Sequence, residues 1–186
     1  MNDDPFTYRR KSHMELGQLY FWTATINQWQ KLFLDDRFKQ VIIDSLTYLS
    51  SRKKLDVFAF VIMPNHVHFI WRMLEDNGKE TTAGSFLKYT AHAFKKLLNQ
   101  YNPSALTHYK VKTHNKSHEF WQRDSLAVHL YSREVAYQKL DYIHANPVAQ
   151  HWQLAVDPCD YKYSSARYYE LGQYDFSFIK DLRDEF

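Results

Sequence analysis

Two hydrophobic patterns alternate along this chain of 186 residues, and their order predicts its fold. Segments rich in aromatic and β-branched residues predict strands, and segments whose apolar residues recur every three or four positions predict helices. Strands are expected at 19–26, 55–63 and 66–73 and within 120–131, and helices at 36–50, 82–99 and 132–146. This order is typical of an α+β, ferredoxin-like domain: an antiparallel β-sheet with helices packed on one face, here followed by a C-terminal helix.

Capping and turn residues mark the ends of several of these elements. Asp35 is placed to cap the first helix, and Ser132 to start the last one, which ends before Pro147. Pro64 and Asn65 are turn residues between two predicted strands. The sequence therefore predicts a hairpin whose second strand begins at residue 66.

The same patterns predict one domain. We expect it to span residues 19–170, between a polar N-terminal lead-in at 1–18 and an acidic C-terminal tail at 171–186. Residues 100–117 are polar and basic, so they are expected to form a loop or a flexible arm.

Composition narrows the class of protein only a little. Apolar residues make up 45% of the chain and aromatic residues 17%, which indicates a real core and excludes disorder throughout. The single cysteine, Cys159, is typical of a reducing compartment. The polar N-terminus does not resemble a signal peptide, and no apolar run reaches the ~20 residues that span a membrane. A cytoplasmic, nucleoid-associated protein is expected.

Charge is distributed unevenly, although the formal net charge is only +3. Residues 81–118 contain no acidic side chain, and Arg123 follows shortly after them. The lysines of this basic block are Lys88, Lys95, Lys96, Lys110, Lys112 and Lys116. Such a block is either a footprint for a polyanion such as DNA or an ordinary solvated surface.

Two histidines at the start of the second hairpin strand are the first candidate for chemistry. Side chains two apart on a strand project from the same face, so His66 and His68 can offer two imidazoles to one metal ion. The alternative is that they are ordinary core or surface histidines.

The last predicted helix supplies a second candidate. Tyr142 and Asn146 are four residues apart and share one helix face. If that face lies against the histidine pair, His66, His68 and the Asn146 side-chain carbonyl could hold a divalent metal, with Tyr142 facing a bound phosphate. Tyr142 could equally be a packing residue, and Asn146 before Pro147 a simple helix stop.

Four segments, in this order, resemble the HUH single-tyrosine transposases, and most of all their REP-associated branch. The segments are Met-Pro-Asn-His-Val-His-Phe-Ile-Trp at 63–71, Phe-Trp-Gln-Arg at 120–123, Leu-Asp-Tyr-Ile-His-Ala-Asn-Pro-Val at 140–148 and Tyr-Lys-Tyr-Ser-Ser-Ala-Arg at 161–167. The residues after the third motif, at 149–152, depart from the small or glycine-containing turn usual in that family.

The resemblance implies a ferredoxin-like domain that cleaves and rejoins single-stranded DNA beside short hairpins. It implies Tyr142 as the nucleophile that forms a 5′-phosphotyrosine. It also implies His66, His68 and Asn146 as ligands of Mg²⁺ or Mn²⁺. The basic block and Arg123 would then contact the DNA. Trp71, Phe120 and Trp121 are either stacking platforms for unpaired bases or ordinary core residues.

Two other functions remain open at the level of the sequence. A non-catalytic module would bind a DNA hairpin and form no adduct. A metal-dependent hydrolase would use the histidine pair without a tyrosyl intermediate. The resemblance leaves open whether the protein is a monomer or a homodimer, and which DNA it recognises.

Overall fold

The structure is a computed structural model that describes residues 13–113, 116–123 and 125–186, without the side chains of residues 113 and 116. The predicted lead-in therefore lies outside the described residues up to residue 12. Helices and strands occur in the order β1 Leu19–Thr25, α1 Asp36–Ser51, β2 Leu55–Ile62, β3 His66–Met73, α2 Thr82–Tyr101, β4 Lys110–Thr113, β5 Lys116–His118, β6 Leu126–His129, α3 Arg133–Ala145 and α4 Ala166–Leu171. No described helix has the length and apolar character needed to cross a membrane.

Four strands form one antiparallel sheet in the order β2-β3-β1-β6. Since α1 follows β1 and α2 follows β3, the order confirms the predicted α+β, ferredoxin-like fold. The predicted caps are also confirmed, because Asp35 accepts a hydrogen bond from the Arg37 amide and Ser132 accepts one from the Val135 amide.

The prediction of an irregular arm at 100–117 is wrong. A 3₁₀ helix occupies Ala105–Tyr109, and β4 pairs with β5 in a small separate ladder. Its anchors are apolar: Leu106 and Tyr109 are buried, and the Tyr109 ring stacks on Phe120 at a centroid distance of 4.5 Å. These few apolar residues order a segment whose overall polarity is typical of a loop.

The register of the central strands separates the two faces of the sheet. Trp22 lies opposite Phe69, and the helix α2 covers this aromatic face with Phe86, whose ring centroid is 6.1 Å from that of Trp22. Thr23 lies opposite His68 on the other face. Because side-chain direction alternates along a strand, the core beneath α2 and the histidine pair occupy opposite faces.

The outer edge of β2 is covered by the C-terminal part of the chain. Val61 forms an antiparallel bridge with Ser164, and Val57 forms a parallel bridge with Ile179. Residues 171–186, expected from sequence as an acidic tail, thus return to the sheet, where the Lys180 amide donates to the Val57 carbonyl at 2.8 Å. An edge covered in this way is not open to pairing with another chain.

Candidate active site

The two histidines project from β3 as the period of a strand requires. His66 and His68 are both buried, and their ring centroids lie 4.7 Å apart. Their position on a central strand holds the backbone of both residues in the hydrogen-bonded ladder with β1. The pair is therefore presented by a rigid element rather than by a loop.

The partner of His66 determines which ring nitrogen is free. His66 Nδ1 lies 2.7 Å from Asn65 Oδ1, and Asn65 Nδ2 donates to the Trp29 carbonyl at 3.4 Å. Since the amide nitrogen is engaged with Trp29, Asn65 presents its oxygen to His66, so Nδ1 carries the proton and donates it. The lone pair of the neutral imidazole is then on Nε2.

His68 also has a hydrogen-bond partner at Nδ1. Its Nδ1 lies 2.7 Å from the Thr23 hydroxyl, while its Nε2 is buried and has no hydrogen-bond partner in the described part of the chain. A buried unpaired nitrogen costs about 1–3 kcal/mol. Metal-bound histidines commonly engage the second ring nitrogen in this way, so the unpaired Nε2 fits a metal ligand.

Burial also keeps both imidazoles neutral. Desolvation, together with the charge of His151, lowers the pKa of His66 to about 4. Desolvation, with the charges of His66 and Lys139, lowers the pKa of His68 to about 3. A histidine coordinates a metal only in its neutral form, and neither ring must lose a proton to do so near neutral pH.

Helix α3 brings Tyr142 to this face of the sheet. The ring centroid of Tyr142 lies 5.3 Å from that of His68 and 5.9 Å from that of Phe21. The side chain is 49% exposed, although it contacts a buried histidine. A tyrosine in this position is accessible to a bound macromolecule and adjacent to the imidazole pair.

The other ligands of a metal would have to be oxygen atoms. Among the described residues, no group of three or more His, Cys, Asp and Glu side chains is arranged to hold a metal. Asn146, one turn after Tyr142, is buried, and its side chain forms no hydrogen bond with any described residue. Two neutral nitrogens, completed by oxygens of substrate or water, suit Mn²⁺ or Mg²⁺, and Asn146 as a third ligand stays an expectation from the sequence motif.

Sequence reasoning missed the contact that fastens α3 to β2. His144 is buried, and its Nε2 lies 2.9 Å from Ser165 Oγ, which accepts a hydrogen bond from the Phe60 amide at 3.0 Å. Burial lowers the pKa of His144 to about 4, so this histidine is neutral as well. The motif at 161–167 contains Ser165, but nothing in the sequence pairs it with His144.

Beyond the end of α3, Trp152 lies beside the histidine pair. Its ring centroid is 5.8 Å from that of His66 and 5.6 Å from that of His151. His151 and Trp152 belong to the segment 149–152, where the chain departs from the pattern of the family it resembles. This segment therefore forms part of the wall around His66.

Three of the predicted DNA contacts line one groove. A cavity of about 640 Å³ lies between α2 and residues 117–123, and Lys88, Lys95 and Arg123 are in its lining. Two of these cations have partners: Lys88 pairs with Glu80 at 2.6 Å, and Arg123 with Glu119 at 3.3 Å.

The other predicted contacts are more dispersed. Lys96, Lys110 and Lys112 are exposed but do not line the groove, and the side chain of Lys116 lies outside the described residues. The Gln122 amide donates to the Thr25 carbonyl at 2.8 Å and so joins the wall of the groove to the end of β1. The groove lies on the α2 side of the sheet, and the histidine pair lies on the opposite face.

Of the two roles left open for Trp71, Phe120 and Trp121, base stacking or core packing, the structure shows core packing. Trp71 is fully buried, and Phe120 and Trp121 are 3% and 7% exposed. Their rings pack in the core, where Phe94 lies 5.9 Å from Phe120 and 5.7 Å from Trp121. Apolar packing took precedence over exposure, as is usual for large aromatic residues.

Comparison with known proteins shows that the fold of this chain is similar to that of a solved structure. No family model and no curated protein matches the chain. Among solved structures, a REP-associated tyrosine transposase bound to a REP hairpin is similar, with a TM-score of 0.61 and 19% identity, over 98% of this chain and 99% of that one. A proposed transposase from Deinococcus radiodurans R1 matches over 72% of this chain and 94% of that one, with 16% identity and a TM-score of 0.42. The first likeness confirms the fold expected from the sequence motifs.

Proposed function

We propose that this protein is a metal-dependent endonuclease and strand transferase that cleaves single-stranded DNA next to a hairpin through a 5′-phosphotyrosine on Tyr142. The observation that carries the proposal is the position of Tyr142, half-exposed and in ring contact with a buried histidine whose Nε2 has no partner among the described residues. A nucleophile beside a potential Lewis-acid site is the arrangement that phosphoryl transfer requires.

In the cleavage step, Tyr142 Oη attacks the phosphorus of one DNA phosphodiester. The new bond joins the tyrosine oxygen to phosphorus, and the bond from phosphorus to the 3′ oxygen breaks. The phenolic proton leaves Tyr142, and the departing 3′ oxygen takes up a proton to become a free 3′-hydroxyl. In the reverse direction, a 3′-hydroxyl attacks the phosphotyrosine and regenerates Tyr142, so the energy of the phosphodiester is conserved.

His66, His68 and Asn146 would hold the metal. When bound, Mg²⁺ or Mn²⁺ would supply neutralisation of phosphate charge and of the negative charge that develops on the leaving oxygen. The chain prepares the two nitrogens for this task, because Asn65 and Thr23 orient the imidazoles through Nδ1. His144 keeps α3 against β2 through Ser165 and thereby supports the position of Tyr142.

The groove beside α2 is the proposed contact for the DNA backbone. Lys88, Lys95 and Arg123 line it, and its Gln122 wall is bonded to the strand residue opposite His66. DNA held in the groove would have to pass the end of β1 to bring its scissile phosphate to the histidine pair on the other face of the sheet. The similar transposase is bound to a REP hairpin, which supports a hairpin as the ligand here.

A covalent-adduct assay tests the proposal. Wild type and Tyr142→Phe are incubated with labelled hairpin DNA taken from the flanks of the gene, with Mn²⁺ or with EDTA, and separated on denaturing gels. We expect a metal-dependent protein–DNA band in the wild type that is absent from Tyr142→Phe. The matched control is Tyr131→Phe, which alters another exposed tyrosine at the base of α3 and is expected to retain the band.

Each alternative function gives a different gel. Cleavage that persists in Tyr142→Phe would contradict the tyrosyl intermediate and favour a metal-dependent hydrolase. Hairpin binding without cleavage in any metal would contradict the enzymatic proposal and favour a DNA-binding module.

A further inference from the structure

Lys139 lies on α3 one helical turn before Tyr142 and shares its face. Its Nζ is 5.0 Å from the ring centroid of Phe21 and 5.7 Å from that of Tyr142. The side chain is half-buried. Its positive charge also contributes to the lowered pKa of His68, which places the ammonium close to the histidine pair. The cation thus faces the same cluster of rings as the nucleophile.

The charge of Lys139 has no carboxylate partner in the described part of the chain. Other lysines of this protein do have one: Lys39 pairs with Asp36, Lys54 with Glu75 and Lys180 with Asp56. Lys139 is in none of the ion pairs formed by the described residues. A half-buried ammonium beside two neutral imidazoles has no negative charge from the described residues to neutralise it, so it favours binding of an anionic group.

We propose that Lys139 contacts a non-bridging oxygen of the scissile phosphate and stabilises its charge while Tyr142 attacks. This inference rests on the proposed function, since it assigns a residue to the same reaction. Lys139 lies just before the 140–148 motif, so the resemblance in sequence does not point to it. A flexible four-carbon stem with a compact charge is well suited to follow a phosphate that changes geometry during transfer.

The competing interpretation is structural. A cation over aromatic rings is attracted by their π faces, and Lys139 would then only orient the Tyr142 ring. The two interpretations differ in one respect. A contact with phosphate depends on the charge of that phosphate, whereas a contact with a ring does not.

The first measurement is the single-turnover rate of adduct formation at saturating hairpin DNA. For Lys139→Met we expect a rate about 10²-fold below wild type, as for loss of one donor to a developing oxyanion. Lys139→Arg, which keeps the charge, should recover most of the rate. Arg133→Met is the matched control, because Arg133 also lies over a ring on α3, 5.3 Å from the centroid of Tyr137, but outside the site. Its rate should stay at the wild-type level.

The second measurement separates phosphate contact from ring orientation and does not require cleavage. In a Tyr142→Phe background, the phosphates of the hairpin and its single-stranded flank are replaced one at a time by uncharged methylphosphonates. Binding is then measured with and without Lys139→Met. We expect one position at which neutralisation weakens binding by about threefold to tenfold when Lys139 is present and has no effect when it is absent. The wild-type adduct identifies the scissile phosphate, which should be that position.

The outcomes distinguish this inference from the proposed function. Adduct formation without any phosphate coupled to Lys139 would overturn the inference and leave the proposed function standing. Coupling to one phosphate without an adduct would support the Lys139 contact and contradict the proposed reaction. A third outcome is that Lys139→Met slows adduct formation by the same factor on DNA with a normal scissile phosphate and on DNA with a methylphosphonate there. That result would assign Lys139 to orientation of the Tyr142 ring alone. Melting temperatures of each variant show whether it is folded.

Discussion

The two faces of β3 differ in the chemistry of their buried side chains, although these side chains alternate along one strand. Phe69 and Trp71 are fully buried beneath α2, where Phe86 lies 5.7 and 5.9 Å from their ring centroids. His66 and His68, on the other face, are nearly as buried but are polar. The first face is packed by large aromatic side chains, and the nitrogens buried there without a partner among the described residues belong to the indoles of Trp22 and Trp71. The nitrogen that no described residue satisfies on the other face, His68 Nε2, belongs to an imidazole and can bind a metal.

The difference shows how a stable core supports a site that is unfavourable by itself. Burying aromatic area stabilises a fold in proportion to the area removed from water. Burying the His68 imidazole without a described partner for Nε2 works against folding and is tolerated only when the rest of the molecule provides enough stability. Neighbouring residues on β3 should therefore respond differently to substitution, one in stability and the next in metal binding.

The largest effect on stability is expected for Phe69→Ala. Phe69 is fully buried and contacts Trp22 and Trp71, so the substitution leaves a cavity in the aromatic face. We expect a loss of about 3–5 kcal/mol in the free energy of unfolding, measured by urea denaturation in EDTA. His68→Gln, one residue away, is the control and should change stability by less than about 1.5 kcal/mol. Equal losses in the two variants would contradict the division between the faces.

For metal binding, substitutions of the histidines on β3 should have larger effects than substitutions on its aromatic face. His68→Gln removes one of the two imidazoles proposed as metal ligands, and we expect the affinity for Mn²⁺ to fall by at least about 10²-fold in calorimetric titrations of the full chain. His129→Gln, a change at an exposed histidine on β6, should bind Mn²⁺ as wild type does. Unchanged Mn²⁺ affinity in His68→Gln would show that the pair is not a metal site.

A smaller effect is expected when the orientation of the imidazole is disturbed. Thr23→Val removes the hydroxyl 2.7 Å from His68 Nδ1 and keeps the shape of the side chain. We expect about 10- to 100-fold weaker Mn²⁺ binding, the usual result of losing a partner of a metal-bound histidine. Thr25→Val makes the same change opposite His66, which is oriented by Asn65 instead, and should have little effect. If the two variants weaken binding equally, the Thr23 contact is not specific.

The smallest effect is expected on the pH dependence of the free energy of unfolding. The pKa of His66 falls from 6.5 in the unfolded chain to about 4 in the folded one, so between these values the unfolded state binds the extra proton. The free energy of unfolding therefore decreases as the pH falls through this window, by about 1.4 kcal/mol per pH unit for each such histidine. His66→Gln should reduce the slope of stability against pH by about that amount, measured in urea at pH 7, 6 and 5 with EDTA. An unchanged slope would show that His66 does not titrate in this way.

The predictable parts of this molecule are those that depend on local physics. The caps at Asp35 and Ser132, the turn at Pro64 and Asn65, and the end of α3 before Pro147 follow from short-range sterics and hydrogen bonding, and the structure has all of them. The polarity of the segment 100–117 wrongly predicts a loop or arm, because the order of this segment depends on distant partners. The stack of Tyr109 on Phe120 gives no periodic signal in the sequence.

The sequence by itself determined that His66 and His68 share one face of β3, because side-chain direction on a strand repeats every second residue. It also determined that Tyr142 precedes Asn146 by one helical turn. Only the tertiary structure decided that the Tyr142 ring contacts His68 and that His144 is hydrogen-bonded to Ser165. It also decided that the Lys139 ammonium lies beside the Tyr142 ring. Those contacts join residues on different elements, and their geometry arises from packing α3 against the sheet, which no local pattern encodes.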